Sequence, residues 1–189
     1  MKPADFAAKG HGKAAPWADL VNSEEWDTYG KPTDHLGDPS WLTFFLARWN
    51  FTPPERSAFP AARFRALRGI LRRGCENVSA GRGVSEEEIS SLNNVLNVTG
   101  SRRLYQRQNG LAVEFRPAAE DWEWILAETA FGFAELLARG GGSRIKICSN
   151  PGCRWVFYDS SKARTRRWCS DKVCGNRERV RRSRAKGKL

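Results

Sequence analysis

The sequence predicts a mainly α-helical chain with a β-hairpin, an α+β fold, in which a helical N-terminal domain precedes a small four-cysteine module. Three observations support this prediction. Four of the five cysteines lie within residues 148–174, apolar residues recur at helical spacing over much of residues 39–137, and an Asn-Gly pair separates two β-prone runs. The 189 residues are enough for one medium domain and one small module.

Residues before the first clear helix carry few signals. Residues 1–16 are small and polar, which predicts a flexible arm containing a solvated His11. Residues 17–27 fit either a short helix or a strand followed by a turn, and the pattern does not decide between them. Residues 30–39 are loop-like.

Two helices are predicted next. Asp38 and a following proline open the first, in which apolar residues recur at helical spacing as far as Trp49. The second starts near Pro60 and ends about Arg73, because glycine follows there. Cys75 lies at that end, and a lone cysteine is most often a small buried apolar residue.

A third helix, a hairpin and a fourth helix follow. Residues 85–88 (SEEE) form a capping box that opens the third helix. Residues 102–108 and 111–116 flank Asn109-Gly110, a strong hairpin signal. A wide apolar stripe over residues 122–137 predicts the fourth helix, and the glycines at 140–142 then mark a domain boundary. The predicted domains are therefore residues 17–142 and 143–189.

The four clustered cysteines form two pairs of equal spacing. Four residues separate Cys148 from Cys153 and Cys169 from Cys174, and fifteen residues lie between the pairs. Zn²⁺ prefers thiolates in a tetrahedral arrangement, and two short loops gather four sulfurs at a low entropic cost. One structural zinc ion per chain is therefore predicted. Two disulfides are the alternative, which is disfavoured because nothing at the N-terminus resembles a secretion signal. A redox site is also disfavoured, because the cysteine pairs do not have C-x2-C spacing.

The residues around these cysteines predict the local fold. Pro151 and Gly152 favour a type II bend from Asn150 to Cys153, between the first two cysteines. Residues 155–158 are β-prone, with residues 144–147 as the candidate partner strand. Residues 176–185 contain no proline and many helix formers. A treble-clef-like or ribbon-like zinc finger follows: a knuckle, a hairpin, and a second knuckle at a helix start.

This module resembles the CGNR zinc finger, named for the tetrapeptide at residues 174–177. The similarity extends to residues 154–159 (RWVFYD) and 167–170 (RWCS) and covers the whole finger. Residues 20–26 and 34–46 resemble, more loosely, the start of the ABATE domain. That family is described as stress-induced transcription regulators, so the resemblance implies DNA binding, whereas the cysteine spacing alone implies only zinc.

Positive charge is concentrated in the finger. Residues 144–189 contain 15 Lys/Arg and 3 Asp/Glu, a net charge of +12, whereas residues 1–143 contain 17 and 18, a net of −1. A concentrated basic patch is typical of a nucleic-acid binder, and a solubilising tail is the alternative. DNA is therefore the expected partner. RNA is the nearest competitor, and a protein-interaction adaptor is the competitor of another class.

Two sets of basic residues are candidates for DNA contact. Arg177, Arg181 and Arg184 share one face of the predicted last helix, with Arg182 beside them, and this row is placed to read base edges. Asn176 either stabilises the knuckle or contacts a base. The second set lies between the cysteine pairs, where phosphate contact is expected: Lys162, Arg164, Arg166 and Arg167.

The helical domain is expected to sense a small-molecule effector or to form a homodimer. It holds six tryptophans, most of which belong in a core. Some are candidates to line a small-molecule pocket with polar neighbours. The pocket residues predicted on this basis are Asn22, Trp26, Asp34, His35 and Trp41.

The sequence does not suggest an enzyme. It has two histidines and none of the H-E-x-x-H, G-x-S-x-G or Gly-Lys phosphate-loop motifs, and four cysteines would leave zinc no open position. No apolar run approaches the ~20 residues of a membrane span. Grouped thiols and the lack of a targeting signal predict a reducing cytoplasm. The predicted function is that of a DNA-binding transcription regulator.

Overall fold

The computed structural model describes residues 15–26, 30–108 and 110–187. Within these ranges the chain forms six α-helices and three two-stranded antiparallel sheets, which confirms the predicted fold class. Residues 1–14, with most of the predicted arm and His11, lie outside the described residues.

The region left open by the sequence contains both a helix and a strand. Helix α1 (Pro16–Val21) is followed by strand β1 (Glu24–Trp26). Strand β2 (Pro32–Asp34) pairs with β1, and a 3-10 turn (His35–Gly37) follows. The loop prediction for residues 30–39 was therefore wrong at β2. All three β2 residues are exposed, so no apolar alternation indicates this strand.

Helices α2 (Pro39–Trp49) and α4 (Glu86–Leu96) begin where their capping signals predict. The Asp38 carboxylate accepts a hydrogen bond from the Ser40 amide at 2.8 Å, and the capping box between Ser85 and Glu88 is complete. Each cap satisfies amides that the first helical turn leaves without partners, which fixes the start of the helix.

Helix α3 (Ala61–Ser79) continues through Gly74, so the predicted end at Arg73 was wrong. A Cβ atom at Gly74 would lie 3.0 Å from the ring of Phe133, which belongs to helix α5 (Trp122–Ala138). This glycine allows two helices to pack closely, which outweighs its weak helix propensity. Cys75 consequently lies within the helix rather than at its end, and is fully buried.

The predicted hairpin is confirmed. Strands β3 (Gly100–Arg107) and β4 (Gly110–Pro117) pair in a register that places Arg107 opposite Gly110. Asp121 caps α5 through the amide of Trp124.

The finger also has its predicted elements. Strand β5 (Ile145–Ile147) pairs with β6 (Val156–Tyr158), and helix α6 (Asn176–Ala185) follows a single π-helical turn over Asp171–Gly175.

One hydrophobic core joins the finger to the helices. Trp155, Val156 and Phe157 are fully or almost fully buried in the same cluster as Trp17 and Leu20. Strand β5 packs against α3, and β6 against α1. The sequence pattern suggests a boundary near residue 142, but residues from both sides of that position pack into the same apolar core.

Candidate metal centre and nucleic-acid interface

The sulfur atoms of the four finger cysteines lie within 4.8 Å of one another. The Sγ atoms of Cys153 and Cys169 are 3.7 Å apart, and those of Cys169 and Cys174 are 3.6 Å apart. Zinc bound to four thiolates at about 2.3 Å places them about 3.8 Å apart. Cys148 and the second pair are buried, and Cys153 is partly buried. The four cysteines are thus positioned to bind one metal ion and fit zinc.

Such a site is closed. Four protein sulfurs complete a tetrahedral sphere, so a zinc ion here would tie two knuckles together and contribute folding free energy. Hydrogen bonds from Cys153, Cys169 and Cys174 hold the pKa of Cys148 far below its usual range.

Short backbone contacts set the first knuckle. The Cys153 amide donates to the Asn150 carbonyl at 2.9 Å, and the Gly152 amide donates to the Asn150 side chain at 3.3 Å. Arg154 then takes a left-handed conformation, with φ of 51°. A turn from Asn150 to Cys153 is present and returns the chain to the site, but the predicted type II geometry is wrong, because Gly152 does not have the positive φ that a type II turn requires at its third position.

The second knuckle is formed by a helix start. The Ser170 hydroxyl accepts from the Val173 amide at 3.3 Å, and the Ser170 carbonyl accepts from the Cys174 amide at 2.9 Å. Gly175 follows, where a Cβ atom would lie 2.4 Å from the Asp171 carboxylate. The glycine of the CGNR tetrapeptide therefore permits the side chain of Asp171 to lie close to the backbone of residue 175. A serine directly before a helix is a recognisable cap signal, whereas Gly175 has no comparable local signal.

The loop between the knuckles folds around Asp159, which is fully buried. Its carboxylate accepts hydrogen bonds from the Ser161 amide and hydroxyl, at 3.0 and 2.6 Å, and from the Arg166 amide at 3.0 Å. Burial raises the pKa of Asp159, but these hydrogen bonds outweigh it, and the pKa lies below its usual range. The carboxylate organises a loop that is otherwise strongly basic.

Arg166, predicted to contact phosphate, instead directs its side chain toward the finger itself. Its guanidinium donates to the carbonyls of Trp168, at 2.8 Å, and Cys169, and its central carbon lies 4.6 Å from the centre of the Phe157 ring. Lys162, Arg164 and Arg167 are exposed.

The arginines of α6 also differ from one another. Glu178, 7% exposed, accepts from Arg181 at two distances of 2.9 Å and from Arg182 at 3.0 Å. The hydrogen bond from Arg181 lowers the pKa of Glu178. Arg177 and Arg184 are exposed on the same helix. Glu178 thus fixes two of the four predicted arginines on the helix surface.

Comparisons with known families agree with this geometry. Residues 144–187 match the model of the CGNR zinc finger, and residues 14–140 match that of ABATE, described as "Putative stress-induced transcription regulator". The chain belongs to the ABATE family. The resemblance stated from the sequence is confirmed in both parts of the chain. The search of curated proteins found no match to this chain.

Within the ABATE region, three of the five predicted pocket residues make contacts that hold the fold together. Asn22 is hydrogen-bonded to Val156 in the finger. Asp34 accepts from Arg65 and Arg68 on α3, each at 2.7 Å, and Trp41 stacks on Phe45 in the core.

The other two predicted pocket residues lie near β1. His35 is buried, with its Nε2 atom 3.5 Å from the carboxylate of Glu25. The guanidinium of Arg154, from the finger, lies 4.6 Å from the centre of the Trp26 ring. Each of the five predicted pocket residues therefore contacts another residue of the ABATE region or of the finger.

In the part of the ABATE chain that the structure describes, no helix combines the length and apolar character needed to cross a membrane.

Proposed function

We propose that this ABATE-family chain is a DNA-binding transcription regulator without enzymatic activity, and that its zinc finger and α6 contact the duplex. The observation that supports this best is the charge distribution, +12 over residues 144–189 against −1 over residues 1–143. Duplex DNA attracts such a surface because binding releases condensed counterions. A four-thiolate site needs a reducing compartment, which favours the cytoplasm.

Exposure supports a division of roles among the basic residues. Lys162, Arg164 and Arg167 are exposed on the loop between the knuckles and suit phosphate contact. Arg177 and Arg184 are exposed on α6 and suit contact with base edges, where arginine can bind guanine through two hydrogen bonds. 

Arg181 and Arg182 reach DNA in a fixed orientation. Both are held by Glu178, yet their side chains remain 70% and 58% exposed. A preordered arginine loses less conformational freedom on binding, which favours recognition. Arg166 has a different role, because its guanidinium closes the loop.

Salt-dependent binding of the full zinc-loaded chain to duplex DNA tests the proposal. Affinity should fall steeply with salt. Arg164→Ala should flatten the slope of log affinity against log salt by about one, and Arg177→Ala should cost about 1–3 kcal/mol at a selected site and little elsewhere.

The matched control is Arg139→Ala on α5, since this arginine is 76% exposed but lies outside the finger. It should leave both affinity and slope unchanged. If Arg139→Ala and Arg164→Ala have equal effects, the finger does not carry the DNA contact. Tighter binding to RNA than to duplex DNA, or binding to neither, would favour the RNA-binding or adaptor function instead.

A further inference from the structure

The ABATE region has a groove between the hairpin and α5. Its volume is about 700 Å³, and its walls include Val113 and Phe115 from β4 and Trp124 and Phe131 from α5. Ligand pockets of about 300–1,000 Å³ accommodate drug-sized molecules. The groove therefore has the size for a small organic ligand.

Its aromatic wall is already in place. The rings of Phe115 and Trp124 stack with centroids 5.6 Å apart and planes 29° apart. Gly100 lies so close that a Cβ atom there would be 2.3 Å from the Phe115 ring. Phe131, on the surface of α5, is 49% exposed and therefore presents a large apolar surface to solvent. These rings offer flat surfaces that a ligand can cover without rearrangement.

Glu128 lies on the same face of α5, four residues after Trp124 and three before Phe131. It is half-buried, and burial raises the pKa of its carboxyl above the usual value. Within the described residues it has no hydrogen-bond or ion-pair partner. A half-buried carboxylate without a partner is unfavourable, so this position would gain from a positive charge.

The remaining charges of the groove do not supply that partner. Glu114 pairs with Arg116 at 2.6 Å and Glu135 with Arg139 at 2.7 Å, so both carboxylates already have a cationic partner. Arg102 also lines the groove, but it is exposed to solvent.

We propose that this groove binds a hydrophobic organic monocation, with the positive charge against Glu128 and the apolar body between Phe115, Trp124 and Phe131. Aromatic faces attract cations, most strongly when water is excluded. An anion would meet Glu128 unfavourably, and a neutral ligand would leave it unpaired. The binding itself does not depend on DNA; only the further role of the ligand as an effector rests on the proposed function.

Tetraphenylphosphonium and tetraphenylborate form a matched pair of probes, because they have nearly the same shape and opposite charge. Calorimetric titration of the full zinc-loaded chain should show saturable binding of the phosphonium. Glu128→Gln should weaken it at least about tenfold, the size of a modest charge interaction, while tetraphenylborate binding should not weaken. Glu135→Gln, in the same groove but at a carboxylate already paired with Arg139, should change phosphonium affinity less than about twofold.

Four results would overturn the proposal: no phosphonium binding, borate binding as tight as phosphonium binding, equal phosphonium affinity in wild type and Glu128→Gln, or a groove occupied by a second copy of the chain. The last is detected by sedimentation, as a dimer that Val113→Asp converts to monomer. Thermal unfolding of each variant shows whether it is folded. Phe131→Ala, which removes an exposed ring, provides a second variant that should weaken phosphonium binding. DNA binding is measured separately, so its failure is distinguishable from failure of the groove.

Discussion

The side-chain amide of Asn22 pairs with the backbone of Val156 as a neighbouring strand would. Asn22 Nδ2 donates to the Val156 carbonyl, and the Val156 amide donates to Asn22 Oδ1, both at 2.9 Å. Asn22 is 1% exposed and Val156 is fully buried. One side chain from the helical part thus satisfies both backbone groups of a strand residue in the finger.

Asn22→Ala should lower the free energy of unfolding of the zinc-loaded chain by about 2–4 kcal/mol, because the buried amide and carbonyl of Val156 would lose their partners. Urea denaturation measures this. Thr43→Ala is the control, since it removes an exposed intrahelical hydrogen bond to the Pro39 carbonyl and should cost less than about 0.5 kcal/mol. Equal losses in the two variants would show that the link between Asn22 and Val156 does not stabilise the fold.

Metal analysis should find one zinc ion per chain. Cys169→Ser should abolish binding, because one of the four buried or partly buried thiolate ligands is replaced by a weaker one. Cys75→Ser should retain one zinc ion, although it places a hydroxyl in the core of α3. Loss of zinc from Cys75→Ser that remains folded would contradict the assigned ligand set.

Gly175→Ala should weaken zinc binding at least about tenfold. The added Cβ atom would lie 2.4 Å from Asp171 Oδ1 and 3.0 Å from Trp168, and moving Asp171 breaks its 3.1 Å contact with Arg179. Competition with a chromophoric chelator measures the affinity.

Gly69→Ala on α3 is the control for Gly175→Ala. Its Cβ atom meets an arginine side chain no closer than 3.7 Å, so helix propensity should stabilise the chain by about 0.5–1 kcal/mol without changing zinc affinity. If both variants bind zinc like the wild type, close approach is not the reason for glycine at position 175.

Asp34→Asn should destabilise the chain by about 1–3 kcal/mol near neutral pH, because Arg65 and Arg68 lose a charged acceptor. Burial raises the pKa of Asp34, but the hydrogen bond from Arg68, and then that from Arg65, bring the pKa well below its usual value. The stabilisation is therefore present above the unfolded-state pKa of about 4 and declines as pH falls below it.

Unfolding of Asp34→Asn and wild type should be compared from about pH 7 down to pH 3. The zinc site is common to both, so its own pH dependence cancels in their difference. A gap that does not shrink on acidification would show that Asp34 is not held ionised by these arginines.

Local signals predicted most of the fold. The cap at Asp38, the capping box at Ser85 and the Asn-Gly hairpin signal each act within a few residues, as do the four-residue loops of the zinc site. Such features are determined before the chain folds over itself, so a sequence pattern is enough to locate them.

The errors and omissions depend on partners distant in sequence. Gly74 was interpreted as a helix end, but it faces Phe133, and Asn22, predicted in a ligand pocket, meets Val156 in the finger. Arg166 has the same local character as Arg164, yet only Arg166 turns inward. No local pattern distinguishes these residues because tertiary packing assigns their partners.

The burial of Cys75 makes the reactivity of its thiol a reporter of whether the helical core is folded. Burial raises the pKa of this thiol far above its usual range, so it is neither ionised nor accessible in the folded chain. With the other four thiols on zinc, a thiol-specific reagent should find almost nothing to modify. Removing the metal should release four reactive groups, and only global unfolding should release the fifth. A single thiol titration would therefore distinguish loss of metal from loss of the helical core.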